Sequence, residues 1–590
     1  MRRGQSGCMC AVNVNMEEEQ VGPLDGEFQF KKNTDGTINK EMVICTHCRK
    51  EFRFHRSYSS LKYHLEHKHP GSSSPKATAS LRQTTLTERR PMTNSTKEKL
   101  TNTIAEWIAK DCRPISIVED KGLAKSIRVA SLDPSYKPPC RTTIMTRIHS
   151  LYETEKKKKE EALSQAEYVA LTGDHWTSVS NTNYLGVTAH HITKKWELVS
   201  FALTVIKTEE CDFASACAEQ FQTVARKWDI EGKITIIATD SAHNMVAAAR
   251  ILPYNHMPCI AHIIQRSITV SLADSGFDAA LAKCRKIVGH FKQSPANLVE
   301  LNAVQKSRKE TEEPLTHDVS TRWNSTLEMV QRLSRNQAAI KATLSQQQHK
   351  LVMLTRAEWD KIHKLETLLE PCRYVTELLG GEAYVSCSMV LPALRHLQNT
   401  MEVSDKDPAY VVKFKEKIKD DLTSRQQKIN QEWLKIATAL DPRFKDLKSL
   451  PKTEREGVWT TLGGMLRDES PRRSQQTEDG PPKKKMNLLL QLGSDSESEE
   501  EVQPDRAIQR YRAEPIIDME DCPLRWWSSH AGAHEKLAPL ARKYLSAPAT
   551  SVPCERLFSV AGHVVNKKRA ALLSENVNKS VCLSDWLEDE

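Results

Sequence analysis

Two short phrases hold the residues with the greatest chemical potential: Gly173-Asp174-His175-Trp176-Thr177-Ser178 and Ala238-Thr239-Asp240-Ser241-Ala242-His243-Asn244-Met245. Each sets an aspartate at the end of an apolar run. Carboxylates held a few ångströms apart repel one another unless a cation sits between them. Hard divalent ions such as Mg²⁺ take oxygen ligands and suit such a pair. Two such metals about 4 Å apart activate a nucleophile and stabilise a leaving oxygen in phosphoryl transfer. Either aspartate alone reads as a turn cap, so the case for chemistry depends on the elements that would bring the two together.

Those elements are legible. Residues 168–171 are a short apolar run leading to Asp174, and residues 184–192 and 196–206 read as strands rich in β-branched residues. The period then changes: Phe213, Cys217, Phe221, Val224, Ala225 and Trp228 fall at helical spacing, with Asp212 as a candidate N-cap. Residues 234–238 form a buried-strand run that delivers Asp240. The order strand, strand, strand, helix, strand predicts an acid just past the first strand and another just past the fourth. If these strands are neighbours, the acids meet at one edge of the sheet.

A second constellation lies nearer the N-terminus. Cys45-Thr46-His47-Cys48 is followed, after fifteen residues, by His64 and then His69. Two thiolates and two imidazoles make a closed tetrahedral zinc site, structural rather than catalytic. A module this small cannot bury enough surface alone, so the metal supplies much of its folding energy. His67 competes for the fourth position, but H-x2-H is tighter than usual and His69 is preferred; His47 is expected to point outward. Phe28, Phe30, Phe52, Phe54, Tyr58 and Leu61 are available as a core, and Arg49, Lys50, Arg53, Arg56, Lys62 and Lys68 lie around the site, suited to phosphate contact.

The chain of 590 residues is too long for one domain. Its mean hydropathy of −0.54, with 27% charged residues, predicts a soluble protein, and no apolar run approaches the roughly 20 residues that span a membrane. The N-terminus lacks a secretory apolar stretch. Fifteen scattered cysteines read as reduced thiols rather than a disulfide framework. Residues 51–160 carry 22 Lys+Arg against 12 Asp+Glu, an excess of 10 in a chain of formal charge +9. A basic N-terminal third ahead of a carboxylate-bearing core points toward nucleic acid.

Aromatic residues upstream, the CxxC, and Leu61-Lys62-Tyr63-His64-Leu65 through Lys68-His69-Pro70 resemble a BED-type zinc finger, which occurs in hAT-superfamily transposases and in host proteins derived from them, where it binds DNA. The segment around Asp111, Pro114, Val118, Pro134, Tyr136 and Pro138 resembles the helical DNA-binding segment that precedes the hAT catalytic core. The Asp174 and Asp240 phrases are similar to the first two carboxylate motifs of that RNase H-like core. Pro548 through Gly562, containing Val552-Pro553-Cys554-Glu555-Arg556, resembles the hAT C-terminal dimerisation motif, whose Glu is the third carboxylate. The resemblance therefore implies an Asp174, Asp240, Glu555 set holding Mg²⁺ or Mn²⁺, with Leu557, Phe558 and Val552 facing the core. Cys259-Ile260-Ala261-His262 resembles a family CxxH, which implies that His262 neutralises charge on the reacting phosphate; a buried Cys and an ordinary helix His fit equally. Thr321-Arg322-Trp323-Asn324 resembles the family's Arg-Trp pair, whose Trp stacks on an unpaired base; a core Trp is the alternative. Trp433 through Phe444 resembles another family phrase and is assigned to packing.

The expected architecture is α+β and multidomain. Residues 1–26 are disordered, 27–70 form the BED finger, 71–99 a linker and 100–160 the helical DNA-binding segment. Residues 161–262 begin the RNase H-like core, 263–466 form an all-helical insertion with long helices over 359–379 and 409–440, and 467–505 form a linker. That linker pairs Arg472-Arg473 with Lys483-Lys484-Lys485 as a two-part import signal and carries an acidic serine tract at 494–501. Residues 506–590 complete the core and dimerise, with Leu572, Leu573, Val581, Leu583, Trp586 and Leu587 as apolar surface for a partner copy. The function implied is a nuclear, zinc-dependent, dimerising protein that binds double-stranded DNA, with Arg53, Lys62, Arg322 and Trp323 as DNA contacts, and regulates transcription. The alternative is an active Asp-Asp-Glu transposase. A SUMO ligase role, with SUMO-pathway partners, rests on kinship alone.

Overall fold

The computed structural model describes residues 23–24, 26–55, 57–69, 91–131, 133–208, 213–319, 322–347, 351–381, 384–473, 503–565 and 572–587. The readings made of residues 1–22, Arg56, Asp212, Lys483 to Lys485 and 494–501 lie outside the described residues. The chain divides into two compact units, at residue 90.

The first unit is an antiparallel meander of β1 (Phe28–Lys32), β2 (Ile38–Cys45) and β3 (Glu51–Arg53), followed by helix α1 (Ser59–Lys68). Phe28, Val43, Cys45, Phe54 and Leu61 fill its small core, with Phe30, Phe52 and Leu65 packed at the side. Tyr58, expected in that core, is 47% exposed; its ring meets only the edge of Phe54, at 5.5 Å.

The second unit is built on a five-stranded sheet, β4 (Val169–Thr177), β5 (Asn183–Ile192), β6 (Leu198–Lys207), β7 (Ile234–Thr239) and β8 (Asn255–Pro258), in the order β6-β5-β4-β7-β8. The β4, β5 and β6 meander is antiparallel, and β7 and β8 run parallel to β4. The first and fourth predicted strands are thus neighbours. β8 is an addition: four residues, Asn255-His256-Met257-Pro258, too short and too polar for a periodic signal.

Before the sheet come α2 (Asn94–Lys110), α3 (Lys121–Ser131) and α4 (Arg141–Gln165). α2 begins inside the expected linker, where the Thr93 side chain caps the N–H of Thr96. α4 continues well past its lysine run. These helices are not a separate body: Ile104, Ile108, Ile144, Ile148 and Tyr152 share a core with the sheet. Helices α5 (Phe213–Lys227) and α6 (His243–Ile251) join the same core.

The helical insertion is observed as α7 (Ile260–Asp274), α8 (Asp278–Gln293), α9 (Pro295–Ser307), α10 (Trp323–Arg335), α11 (Gln337–Gln346), α12 (Arg356–Leu379), α13 (Val390–Thr400), α14 (Ala409–Gln426), α15 (Gln431–Leu440) and α16 (Lys452–Arg473). The single helix expected over 409–440 is two, because Asn430 caps α15 through the N–H of Trp433. Asp441, fully buried, accepts from Ser388 and Arg443, so the phrase around it does pack.

The C-terminal region supplies α17 (Gln503–Ala513), α18 (Pro523–His530), α19 (Ala538–Leu545), α20 (Val552–Val564) and α21 (Ser574–Trp586). Trp527 is fully buried, stacks on Trp196 (5.5 Å) and Tyr511 (5.4 Å), and donates its indole N–H to the Leu440 carbonyl. It therefore joins the β5–β6 turn, the insertion and the C-terminal region at one point. Trp527→Ala leaves a cavity and an unpaired carbonyl there, and we expect a loss of about 3–5 kcal/mol in urea unfolding.

α21 corrects one expectation. Val581, Leu583, Trp586 and Leu587 are buried within this chain against β6, α2 and α4 rather than offered to a partner; only Leu573, 70% exposed, stays free. The helix also seals the sheet edge. Asp585 accepts from the N–H of Ala202, Asn578 from the N–H of Val205, and Trp586 donates to the Ala202 carbonyl. An uncovered edge strand would otherwise invite foreign pairing.

Candidate active site and zinc centre

In the first unit Cys45 ends β2, Cys48 lies in the following turn, His64 is on α1 and His69 just beyond it. Arg49, in the left-handed region at φ +59°, turns the chain so that both sulfurs face the helix. One ligand atom from each of the four residues lies within 4.8 Å of all the others. Tetrahedral zinc with S and N ligands requires separations of about 3–4 Å, so the set fits. Burial and the neighbouring His69 hold the His64 pKa below its ordinary value, favouring the neutral imidazole that a metal needs. His67 stacks on Tyr63 and bonds its carbonyl, and His47 pairs with Glu27. The His47 ring lies 5.2 Å from that of His69, so it borders the site. Arg53, at the end of β3, and Lys62, on α1 two residues before His64, are exposed.

In the second unit the β4–β7 register pairs Gly173 with Thr239, so the next residues, Asp174 and Asp240, lie side by side. Asp174 is not past its strand, as expected, but within it: β4 runs on to Thr177 because Trp176 and Thr177 still pair with Tyr184 and Asn183. Asp240 directly follows β7. Asp174 is only 6% exposed. Burial first, then the charge of Asp240, push its pKa up to about 7; burial raises that of Asp240 also.

Glu555 arrives on the first turn of α20, 381 residues along the chain from Asp174. Two small features let it approach. Gly186 pairs with Asp174 across β4–β5, and a Cβ there would come within 2.8 Å of the Phe558 ring, one turn on from Glu555. A bare glycine thus allows α20 to lie close on the sheet. Beside it, buried Cys554 touches the Thr172 hydroxyl at 3.1 Å and the Gly186 carbonyl at 3.5 Å. Neither Gly186 nor Cys554 was singled out from sequence; a glycine inside an otherwise β-branched strand was the available signal. Leu557 and Phe558 face the core as expected, whereas Val552 is only half-buried and lines a cleft.

His262 sits on α7, its Nε2 3.8 Å from Glu555. Burial opposes its charged form, but contact with Cys259 and the carboxylates of Glu555 and Asp174 outweigh it and raise its pKa. The Cys259 sulfur accepts the N–H of Ser551 at 3.2 Å, fixing the entry to α20. Beyond Glu555 opens a cleft of about 700 Å³, lined by His262, Gln265, Arg322, Asn324 and Arg556 among others. Arg322 is exposed there. Trp323 borders the cleft but is 3% exposed and packed among the insertion helices. It stands in the core, and stacking a base on it would require its ring to move.

Comparison with known proteins bears on these sites. Residues 30–70 match the BED zinc finger, 172–263 the ZBED1 RNase-like domain, 257–368 the ZBED1 RNase-like helical domain and 507–587 the hAT family C-terminal dimerisation region. A Zea mays protein named "Putative AC transposase" is 24% identical over 80% of this chain and 63% of its own length. Zinc finger BED domain-containing protein 4 of Homo sapiens is 22% identical over 82% of this chain, which spans 43% of that relative. A Talaromyces stipitatus protein named "Putative transcriptional regulator tpeD" is 22% identical over 81% of this chain and 60% of its own length. The chain thus spans less than two thirds of each of these relatives. It carries a BED zinc finger, an RNase-like domain with its helical part and a hAT-type C-terminal dimerisation region, one after another, and its relatives are hAT-type transposases and BED zinc-finger proteins.

Proposed function

We propose that the protein is a nuclear, zinc-dependent, dimerising DNA-binding protein that regulates transcription. One observation carries the reading: four zinc-type ligands converge while Arg53 on β3 and Lys62 on α1 stay exposed. A finger held by metal presents such cations at fixed spacing to DNA phosphates. Relatives named as a transcriptional regulator and as BED proteins agree with it. Replacing Arg53 and Lys62 together by Ala is expected to weaken duplex binding and to flatten the dependence of log affinity on log salt by about 2. Fluorescence anisotropy across a salt series measures this; an unaltered slope would remove these two residues as phosphate contacts.

A second reading has its own observation. Asp174 and Asp240 lie side by side at the ends of the adjacent inner strands β4 and β7, Glu555 is near enough to act on the charge of Asp174, and their oxygens suit Mg²⁺ or Mn²⁺. Metal bound there would supply Lewis-acid stabilisation of the attacking and leaving oxygens in phosphodiester cleavage. The chain's own contribution is to hold three carboxylates in a partly dry site, with the His262 imidazolium beside the reacting phosphate and Arg322 across the cleft. A SUMO ligase role has no residue here to carry it and forms no part of the proposal.

A further inference from the structure

The cleft beside Glu555 is bounded by a helix start whose capping is unusual. α10 begins at Trp323, and its first N–H groups have no partner within the helix. Arg322, in the N-cap position, makes no side-chain cap. The Trp323 N–H is taken instead by Gln265 Oε1 at 2.9 Å, from α7. Gln265 in turn donates its amide to Thr269 Oγ1 at 3.1 Å, which fixes which way the amide faces. It lies three residues after His262, so one face of α7 carries His262 toward Glu555 and Gln265 toward Arg322.

The approach to Arg322 is anchored as firmly. Asp318, its side chain 2% exposed, accepts a bidentate pair from Arg285 on α8, with contacts of 2.7 and 3.0 Å, and a bond from Thr326 at 3.2 Å. Val319 donates to Ser325 Oγ at 2.7 Å, and the Arg322 N–H closes on the Val319 carbonyl at 2.7 Å. The backbone at Arg322 is therefore pinned on both sides, while its guanidinium remains exposed to the cleft.

We propose that Gln265 is a positioning residue for Arg322: by capping α10 from α7, it holds that guanidinium in register with the acidic site, so that both engage the same DNA strand. The inference rests on the reading that this cleft receives DNA. It assigns Gln265 no contact with the nucleic acid; its effect passes through Arg322.

The test uses the full chain and two DNAs in Ca²⁺: a plain duplex, and the same duplex with a short single-stranded flap. Wild type should prefer the flap. Arg322→Ala should lower flap affinity about tenfold, a larger loss than it causes in duplex affinity. Gln265→Met should reproduce most of that loss, Thr269→Val part of it, and the double variant R322A/Q265M should be no worse than R322A alone, as expected for residues acting through one group. Thermal melting within a few degrees of wild type certifies the fold of each variant. If Arg322→Ala weakens flap binding and Gln265→Met does not, or if their losses multiply, the role given to Gln265 is overturned while the cleft stands. A wild type indifferent to the flap overturns the cleft reading and Gln265 with it.

Discussion

Removing zinc from the full chain, or replacing Cys48 by Ser, is expected to unfold residues 26–69 and leave the larger unit intact. The reason is the size of the core. Five fully or nearly buried side chains, Phe28, Val43, Cys45, Phe54 and Leu61, carry the whole finger. Below about 70 residues a single core rarely supplies more than about 3–5 kcal/mol, so a unit this small needs a metal or disulfide. Structural zinc contributes about 10–16 kcal/mol at neutral pH, which exceeds any packing term available here. The variants separate the ligand readings. His69→Ala should abolish stoichiometric zinc binding and His67→Ala should leave it unchanged, since His67 is engaged with Tyr63. Duplex affinity should fall with zinc in every ligand variant. Zinc titration with a chromophoric chelator, alongside circular dichroism, reads both effects; a His67→Ala variant that lost its metal while His69→Ala kept it would reverse the assignment.

How much of this was legible in the sequence differs between the two sites, for a physical reason. The finger's ligands lie within 25 residues of one another, and the spacing of thiolates and imidazoles in a turn and a helix nearly determines their geometry. The acidic site needs a long-range argument. The strand, strand, strand, helix, strand order was readable because each run has its own period; the adjacency of β4 and β7 stayed a condition until the sheet order supplied it. Glu555 was available only by likeness, because nothing local in Pro553-Cys554-Glu555-Arg556 says that α20 will lie on the sheet. The features that allow this are Gly186 and Cys554, whose partners are hundreds of residues away. Two apolar features share a lesson. The face of α21 was assigned to a partner outside the chain, and the ring of Trp323 either to a base or to the core. A periodic apolar face states only that something covers it; here α21 covers β6, and Trp323 packs within the insertion. β8 escaped because a four-residue strand with two polar residues has no period to detect.

The acidic cluster leads to the other large effect. Asp240→Asn should abolish any Mg²⁺- or Mn²⁺-dependent strand cleavage, a loss on the order of 10⁴-fold or more, since a metal ligand contributes several kcal/mol to charge stabilisation in the transition state. The same change should make the metal-free protein more stable, and the two outcomes together distinguish an active-site acid from a structural one. Asp174 has its pKa raised from 3.8 to about 7, first by burial and then by Asp240. A raised carboxyl binds its proton more tightly in the folded state than in the unfolded chain. Stability therefore falls as pH rises from about 4 to about 7, and the full cost, up to about 4 kcal/mol, is present above pH 7. Asn at 240 removes the second-largest of the raising causes, leaving burial and Glu555, so the melting temperature should rise by a few degrees at pH 8 and hardly change at pH 4. Added Mg²⁺ or Mn²⁺ should raise the melting temperature of wild type at pH 8 by binding the folded form, and do little for the variant. A paired structural carboxylate would behave oppositely: its loss would lower stability at pH 8, and divalent ions would not discriminate. Melting curves at the two pH values, with and without metal, therefore test the site even if the protein never cuts DNA.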